Sequence, residues 1–328
     1  MNLSDYDELL AEGLITDSTL NRIKKKYAAG IFSLYWELKT LLYIGVSLLS
    51  TGIGILIYKN VDTIGHQVIL ASIAALCTAC FYWCNKHKHP FSNMKVEAAD
   101  SFADYILLLG VLSFLTFVAY LQVQYEVFGT HYGMATFIPM LVLFFVAYDF
   151  DHIGILTMAI ANLGIWMGVS VTPKKLLASN TFDSEQAIYT YLTLGLLLLA
   201  AAYFTESRNL KKHFFFSYQH YGVHLTFISL LAGYFHYDYG ISLLWLGAFA
   251  LAALFVYKDA FARRSFYFAM LTVVYSYVAV SGFCIRSMLF MKDDSVLFLG
   301  FAYFILSGAA FVSVLMSLNK KLKSNDYL

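Results

Sequence analysis

The chain has 328 residues, of which 60% are hydrophobic and 18% aromatic, with only 13% charged and a mean hydropathy of +0.66. That composition lies far from a soluble globular average and places the chain in a bilayer. A formal net charge of +1 gives no electrostatic basis for nucleic-acid binding, and none is expected.

The chain opens on a charged piece, "YDELLAEGLITDSTLNRIKKKY", Tyr6 to Tyr27. Ser4 is placed to cap a first short helix and Gly13 to end it in the left-handed conformation; Thr16 is placed to cap a second, with Asp17 at its positive end. Leu20, Ile23, Tyr27, Ile31 and Leu34 then recur at spacings of three and four, which makes one apolar stripe. The reading is an amphipathic helical hairpin over residues 1–34. It buries too little surface to stand alone, so it is expected to pack on the membrane region, a bilayer surface, a partner protein or a second copy. No short apolar core with a small-residue cleavage site occurs in the first 30 residues, so the first apolar run is read as a retained anchor.

Crossing a hydrocarbon core about 30 Å thick takes about 20 apolar residues in helical form. Cutting the chain at charges and turn residues gives ten spans: Trp36–Tyr58, His66–Cys84, Phe102–Gln124, Thr136–Tyr148, His152–Ser170, Gln186–Thr205, Tyr218–Phe235, Ile241–Tyr257, Ser265–Phe283 and Val296–Leu318. The expected fold is all-α, a polytopic membrane bundle over residues 35–318 with a basic tail at 319–328. With the amino terminus inside, 17 of the 22 Lys and Arg fall in inner segments and five outside, the bias expected of cytoplasmic loops. Both termini are therefore expected in the cytoplasm.

The order "ELLAEGLITDSTLNRI", followed after a basic patch by "WELKTLLYIGVSLLSTGIGILI", resembles the start of the prokaryotic membrane proteins called domain of unknown function 2157. In that family a helical "L-x-x-x-G-L-I" hairpin precedes a multi-span region. The resemblance covers roughly the first 60 residues. It implies a multi-pass protein of the bacterial inner membrane, and it supplies no activity, cofactor or catalytic residue. Ten spans also divide into two sets of five with opposite topology, an arrangement similar to the drug/metabolite transporter superfamily. A competing register sets "FGTHYGMATF" before the fourth span against "FHYDYGISLL" before the eighth.

Ionisable groups in or beside spans are the first functional suspects, because the bilayer makes them costly. Glu97, Asp100, Asp104, Asp151 and Glu185 border spans, where helix dipoles and interfacial water account for most carboxylates. The turn "YDFDHIG" crowds Asp149, Asp151 and His152 into an inner loop without Lys or Arg, so it reads either as a cap for the next helix or as a receiver of a cation or basic partner. "YQHYGVH" sets His220 and His224 one helical turn apart, which puts two imidazoles on one face; hydrogen bonding to neighbours is the plainer reading, a metal or proton path the sharper one. Asn162 is an amide near the middle of a span, followed by Gly164 and Gly168, and suits a close helix contact or a substrate contact.

The run "CTACFYWCNKHKH" contains Cys77, Cys80 and Cys84, then His87 and His89. Cys80, Cys84, His87 and His89 are weak metal candidates, since Cys77 and Cys84 lie about 10 Å apart along a helix axis at 1.5 Å per residue. Small apolar packing is the favoured role for these cysteines. No phosphate-binding Gly-rich loop, "H-E-x-x-H" helix or "G-x-S-x-G" elbow is found, and no cofactor is expected. The leading expectation is a non-enzymatic membrane anchor or interaction protein that docks through residues 1–34. The alternative is a secondary transporter of a small solute, and an enzyme acting on lipid ranks last.

Overall fold

The computed structural model describes residues 35–96, 101–129, 132–171, 185–289 and 295–324, together with Thr16, Asp17, Thr19, Leu20 and Lys24. Among the described residues from 35 onward there are ten α-helices and no strand. They are α1 (Tyr35–Ile64), α2 (His66–His87), α3 (Ser101–Tyr125), α4 (Tyr132–Asp149), α5 (Ile153–Val171), α6 (Glu185–Ser207), α7 (Phe215–His236), α8 (Tyr239–Ala262), α9 (Phe266–Leu289) and α10 (Ser295–Ser324). Each coincides with one expected span, with ends that differ by up to six residues. The fourth starts at Tyr132 rather than Thr136, and α10 continues through Lys320, Lys321 and Lys323, which the sequence reading had assigned to a tail.

Seven of these helices are long and apolar enough to cross a membrane: α1, α2, α3, α6, α8, α9 and α10. The α4 and α5 helices are apolar but shorter, about 27 and about 28 Å at 1.5 Å per residue, close to the hydrocarbon thickness. The α7 helix has the length and falls short on apolarity. The chain is thus a polytopic helical membrane protein, in which each helix satisfies its backbone internally as the bilayer requires.

Two compact units divide the chain, Met1–Ile69 and Leu70–Leu328. In the first, Leu20 N–H donates to Thr16 O at 3.0 Å, Asp17 is helical while Thr16 is not, and Leu20 is buried. That is the helix start expected at Thr16. Ser4, Gly13 and the rest of the hairpin lie outside the described residues. The α1 helix ends at Gly65, whose φ of +83° is a left-handed conformation that glycine adopts without a Cβ clash, so α2 can begin one residue later. The apolar window Leu38–Leu56 of α1 holds no buried residue.

The second unit has its packing centre at α7. Val223 and Phe227 of α7 are fully buried, in a core shared with Phe249 of α8 and Ala269 of α9. A second core joins α2 to α6, centred on Leu143, Ile155 and Leu194. Small residues set the closest approaches, as they do where lipid gives helices no hydrophobic drive to associate. A Cβ built on Gly195 of α6 would lie 2.6 Å from Thr226 Oγ1 and 2.7 Å from Thr226 N, and one on Gly222 of α7 would lie 2.9 Å from Leu199 N. The α6 and α7 backbones therefore touch at two reciprocal glycines. On another face of α7, the Trp245 ring of α8 lies on Gly233, where a Cβ would come within 2.4 Å of Cδ2.

Candidate functional site

Three helices of the second unit end alike. His152 N–H donates to Ala147 O, Leu210 N–H to Thr205 O, and Ser265 N–H to Ala260 O, at 3.0, 2.9 and 2.8 Å. These are the six-to-one bonds of Schellman motifs, which place one residue in the left-handed conformation just past the helix. Glycine is usual there. Here the residues are Asp151 (φ 58°), Asn209 (φ 53°) and Arg264 (φ 54°). A side chain at such a position must tolerate the strain, which Asp and Asn do best.

Asp151 gains partners by occupying that position. Its Oδ1 takes Lys211 Nζ at 3.2 Å and His213 Nε2 at 2.5 Å, and its Oδ2 accepts the Val96 N–H at 2.6 Å. The Asp151 and Lys211 side chains are 2% and 1% exposed. Lys211 N–H donates to Asn93 O at 2.9 Å, and its ammonium lies 4.9 Å from the Phe91 ring centroid. Beside them Lys88 Nζ meets Asp149 Oδ2 at 2.6 Å. The turn that lacks cations in sequence receives them from the α2–α3 and α6–α7 connections. A cavity of about 50 Å³, room for a water or a small ion, is lined here by Lys88, Asp104, Asp149, Asp151 and Lys211 among others.

His152 turns the other way. Its Nδ1 accepts the Ile155 N–H at 3.1 Å, which caps α5, and its ring lies over Gly154, where a Cβ would come within 2.9 Å of Cε1. The turn thus caps α5 through His152 and holds the side chains of Lys88, Lys211 and His213 through Asp149 and Asp151.

A second ionic network lies at the same ends of α6 and α8. Arg263 holds Glu206 with both terminal nitrogens at 2.6 and 2.7 Å and Asp259 through Nε at 2.8 Å, over the Phe215 ring at 4.2 Å. The bonds from Glu206 and Asp259 together raise the Arg263 guanidinium further above its ordinary pKa, Glu206 contributing most. Asp259 Oδ2 also accepts Gln219 Nε2 at 2.7 Å. At the opposite helix ends, Arg286 donates to the carbonyls of Tyr234 and Tyr237, both at 3.0 Å, and Tyr237 OH donates to Glu185 at 2.6 Å. Arg286, which lies past the expected end of the ninth span at Phe283, belongs to the last turn of α9.

His220 and His224 do share one face, with ring centroids 4.7 Å apart. Two tyrosines of α9, which the sequence reading did not single out, engage them. Tyr267 OH lies 2.7 Å from His220 Nδ1 and 3.3 Å from His224 Nε2, and Tyr275 OH lies 2.8 Å from His224 Nδ1. Spacing within α9 carries the only sequence signal for them, since Tyr267 and Tyr275 stand two turns apart on one face.

The remaining candidates are scattered. Asn162 lies on α5 with its Oδ1 buried and without a hydrogen-bond partner, as are Gln219 Oε1 and Thr226 Oγ1. Cys80 and Cys84 are buried, and Cys84 Sγ reaches Ala103 O at 3.9 Å. His87 is turned back, its Nδ1 donating to Trp83 O at 2.8 Å and its ring stacked on Trp83. His89 lines the small cavity. Among the described residues no three His, Cys, Asp or Glu are grouped to hold a metal ion. Glu97 and Asp100 lie outside the described residues.

No curated protein and no solved structure matches the chain. A family model described as "Predicted membrane protein (DUF2157)" matches residues 7–156, from the opening segment into the first turn of α5. The match takes in Asp149, Asp151 and His152 and stops short of Lys211 and His213. Over residues 7–156 the chain is thus similar to this family of predicted membrane proteins.

Proposed function

We propose that the chain is a non-enzymatic interaction protein of the bacterial inner membrane that docks through residues 1–34, on the cytoplasmic side, to a protein partner or a second copy. The supporting observation is the Asp151 cluster. A buried carboxylate ties the α2–α3 connection, the α4–α5 turn and the α6–α7 connection together at one end of the second unit. Removing either ion would leave the other buried and uncompensated, so the cluster holds these connections in one arrangement. A surface preorganised in this way loses less entropy on binding. The same charge bias that assigns these connections to the cytoplasm assigns the amino terminus there.

Photocrosslinking in native membranes tests this reading. A light-activated side chain at position 20 or 24 of the full chain should give one discrete protein adduct, with a second copy or another protein, that a chain lacking residues 1–19 does not give when carrying the same group. Adducts with lipid alone from both positions would overturn it.

A second reading, secondary transport, draws on α7, which is closely packed and yet falls short of the apolarity of a membrane span. Its Gln219 and Thr226 each keep a buried oxygen without a hydrogen-bond partner, and Asn162 of α5 does the same. Groups of this kind are retained in membranes chiefly where they serve a pathway or a helix contact. Flux into proteoliposomes that is abolished by Asn162→Leu and indifferent to loss of residues 1–34 would favour transport over docking.

A further inference from the structure

His220, Tyr267, His224 and Tyr275, all half-buried, form an unbroken hydrogen-bond chain between α7 and α9, and the number of protons it carries is not fixed by its geometry. In one neutral arrangement His220 Nδ1–H donates to Tyr267 O, Tyr267 O–H donates to His224 Nε2, and His224 Nδ1–H donates to Tyr275 O. In the other all three bonds run the opposite way. Both use the same distances of 2.7, 3.3 and 2.8 Å. A chain of this type passes a proton by switching from one arrangement to the other, with no heavy atom moving far.

The two histidines are not equivalent within it. His220 uses Nδ1 alone in the chain, so its Nε2 is the end at which a proton can enter. His224 faces hydroxyl oxygens with both nitrogens. An imidazolium needs two acceptors, and a tyrosine hydroxyl can accept from one side while donating on the other. Along α7, His220 and His224 lie about 8 and about 14 Å past Phe215 at 1.5 Å per residue. The first is near the membrane interface and the second approaches the middle of a core about 30 Å thick.

We infer that His224 is a proton-binding site within the bundle, loaded from the basic face through His220 and Tyr267. The steps balance. A proton binds Nε2 of His220; His220 gives its Nδ1 proton to Tyr267 O; Tyr267 gives its hydroxyl proton to Nε2 of His224. His224 then holds both ring protons, donating to Tyr267 O and Tyr275 O, while Tyr267 O–H donates back to Nδ1 of His220. One proton has entered, one charge has moved a helical turn deeper, and every group in the chain keeps its bonds. Only one histidine of the pair carries charge at a time, because two imidazoliums with centroids 4.7 Å apart repel. The ionisable groups in contact with the pair are Tyr267 and Tyr275 from α9 and Tyr221 from α7. The carboxylates nearest in sequence on the packed helices, Glu206 of α6 and Asp259 of α8, are engaged by Arg263 and Gln219. This inference stands apart from the docking reading, since a proton site serves an interaction protein or a transporter equally.

Nitrogen NMR of histidine-labelled full chain in lipid nanodiscs tests it, with signals assigned by His220→Asn and His224→Asn. Lowering the pH from about 8 to about 5 should convert His224 to the doubly protonated form while His220 keeps one bare nitrogen. Tyr267→Phe preserves the ring and removes the hydroxyl, and should abolish that conversion; Tyr275→Phe should weaken it. Conversion of His220 alone, or a His224 response unchanged in both phenylalanine variants, would overturn the inference.

Discussion

Asp151 and Lys211 face each other at 3.2 Å with both side chains almost wholly buried, one on the turn after α4 and the other before α7. Each sits in the left-handed region, at φ 58° and 50°, and each also binds backbone, Asp151 the N–H of Val96 and Lys211 the carbonyl of Asn93. Breaking a buried pair by removing one partner typically costs about 3–5 kcal/mol. Asp151→Asn and Lys211→Met should each lower the melting temperature of the protein in nanodiscs sharply, and the double variant should recover much of the loss. Glu206→Gln is the contrast. Its pair with Arg263 is 39% and 30% exposed, and such pairs are worth about 0–1 kcal/mol. Equal losses in the Glu206 and Asp151 variants would contradict the special status of the buried pair.

The α6–α7 contact makes a steric prediction. Gly195→Ala drives a methyl group into the Thr226 backbone nitrogen, which cannot rotate away, and Gly222→Ala does the same to Leu199. Overpacking of this kind costs about 1–3 kcal/mol. Gly247 of α8 has nothing within 4 Å of its Cβ position, so Gly247→Ala should be neutral or stabilising, by up to about 1 kcal/mol. Thermal unfolding of the three variants side by side checks the ordering.

Arg286 caps the carboxyl end of α7 from α9, where the helix dipole and two carbonyls favour a cation. Arg286→Gln should cost about 1–2 kcal/mol and increase hydrogen exchange at the junction of α7 and α8, around Tyr237. Lysine should restore part of the stability, because it keeps the charge and loses the two-pronged geometry. Unaltered exchange at that junction would show that the cap does not hold it.

The helices were legible in the sequence because a bilayer needs long apolar runs, and the charges that interrupt them mark the ends to within one or two helical turns. The helix that hydropathy serves worst, α7, is covered by α6, α8 and α9, so its face need not suit lipid. Partnership was much less legible. The turn of Asp149 and Asp151 stood out for its missing cations, but Lys88, Lys211 and His213 come from connections far away in sequence, and local pattern carries no trace of that. Likewise the spacing of His220 and His224 gave a shared face, while Tyr267 and Tyr275 depend on how α9 packs. For the cysteines local pattern was enough to suggest packing, and Cys80 and Cys84 are buried.

The account depends most on ten crossings, including the helices that apolarity or length would leave out. Single cysteines at Val127, Asn209 and Asp238, in a chain whose four native cysteines are replaced, can be labelled with a membrane-impermeant maleimide in intact cells and in inverted vesicles. Asn209 should react only in inverted vesicles, and Val127 and Asp238 only in intact cells. Reaction of Asn209 and Asp238 from the same side would show that α7 does not cross, and would contradict the architecture on which the basic face and the proton site both rest.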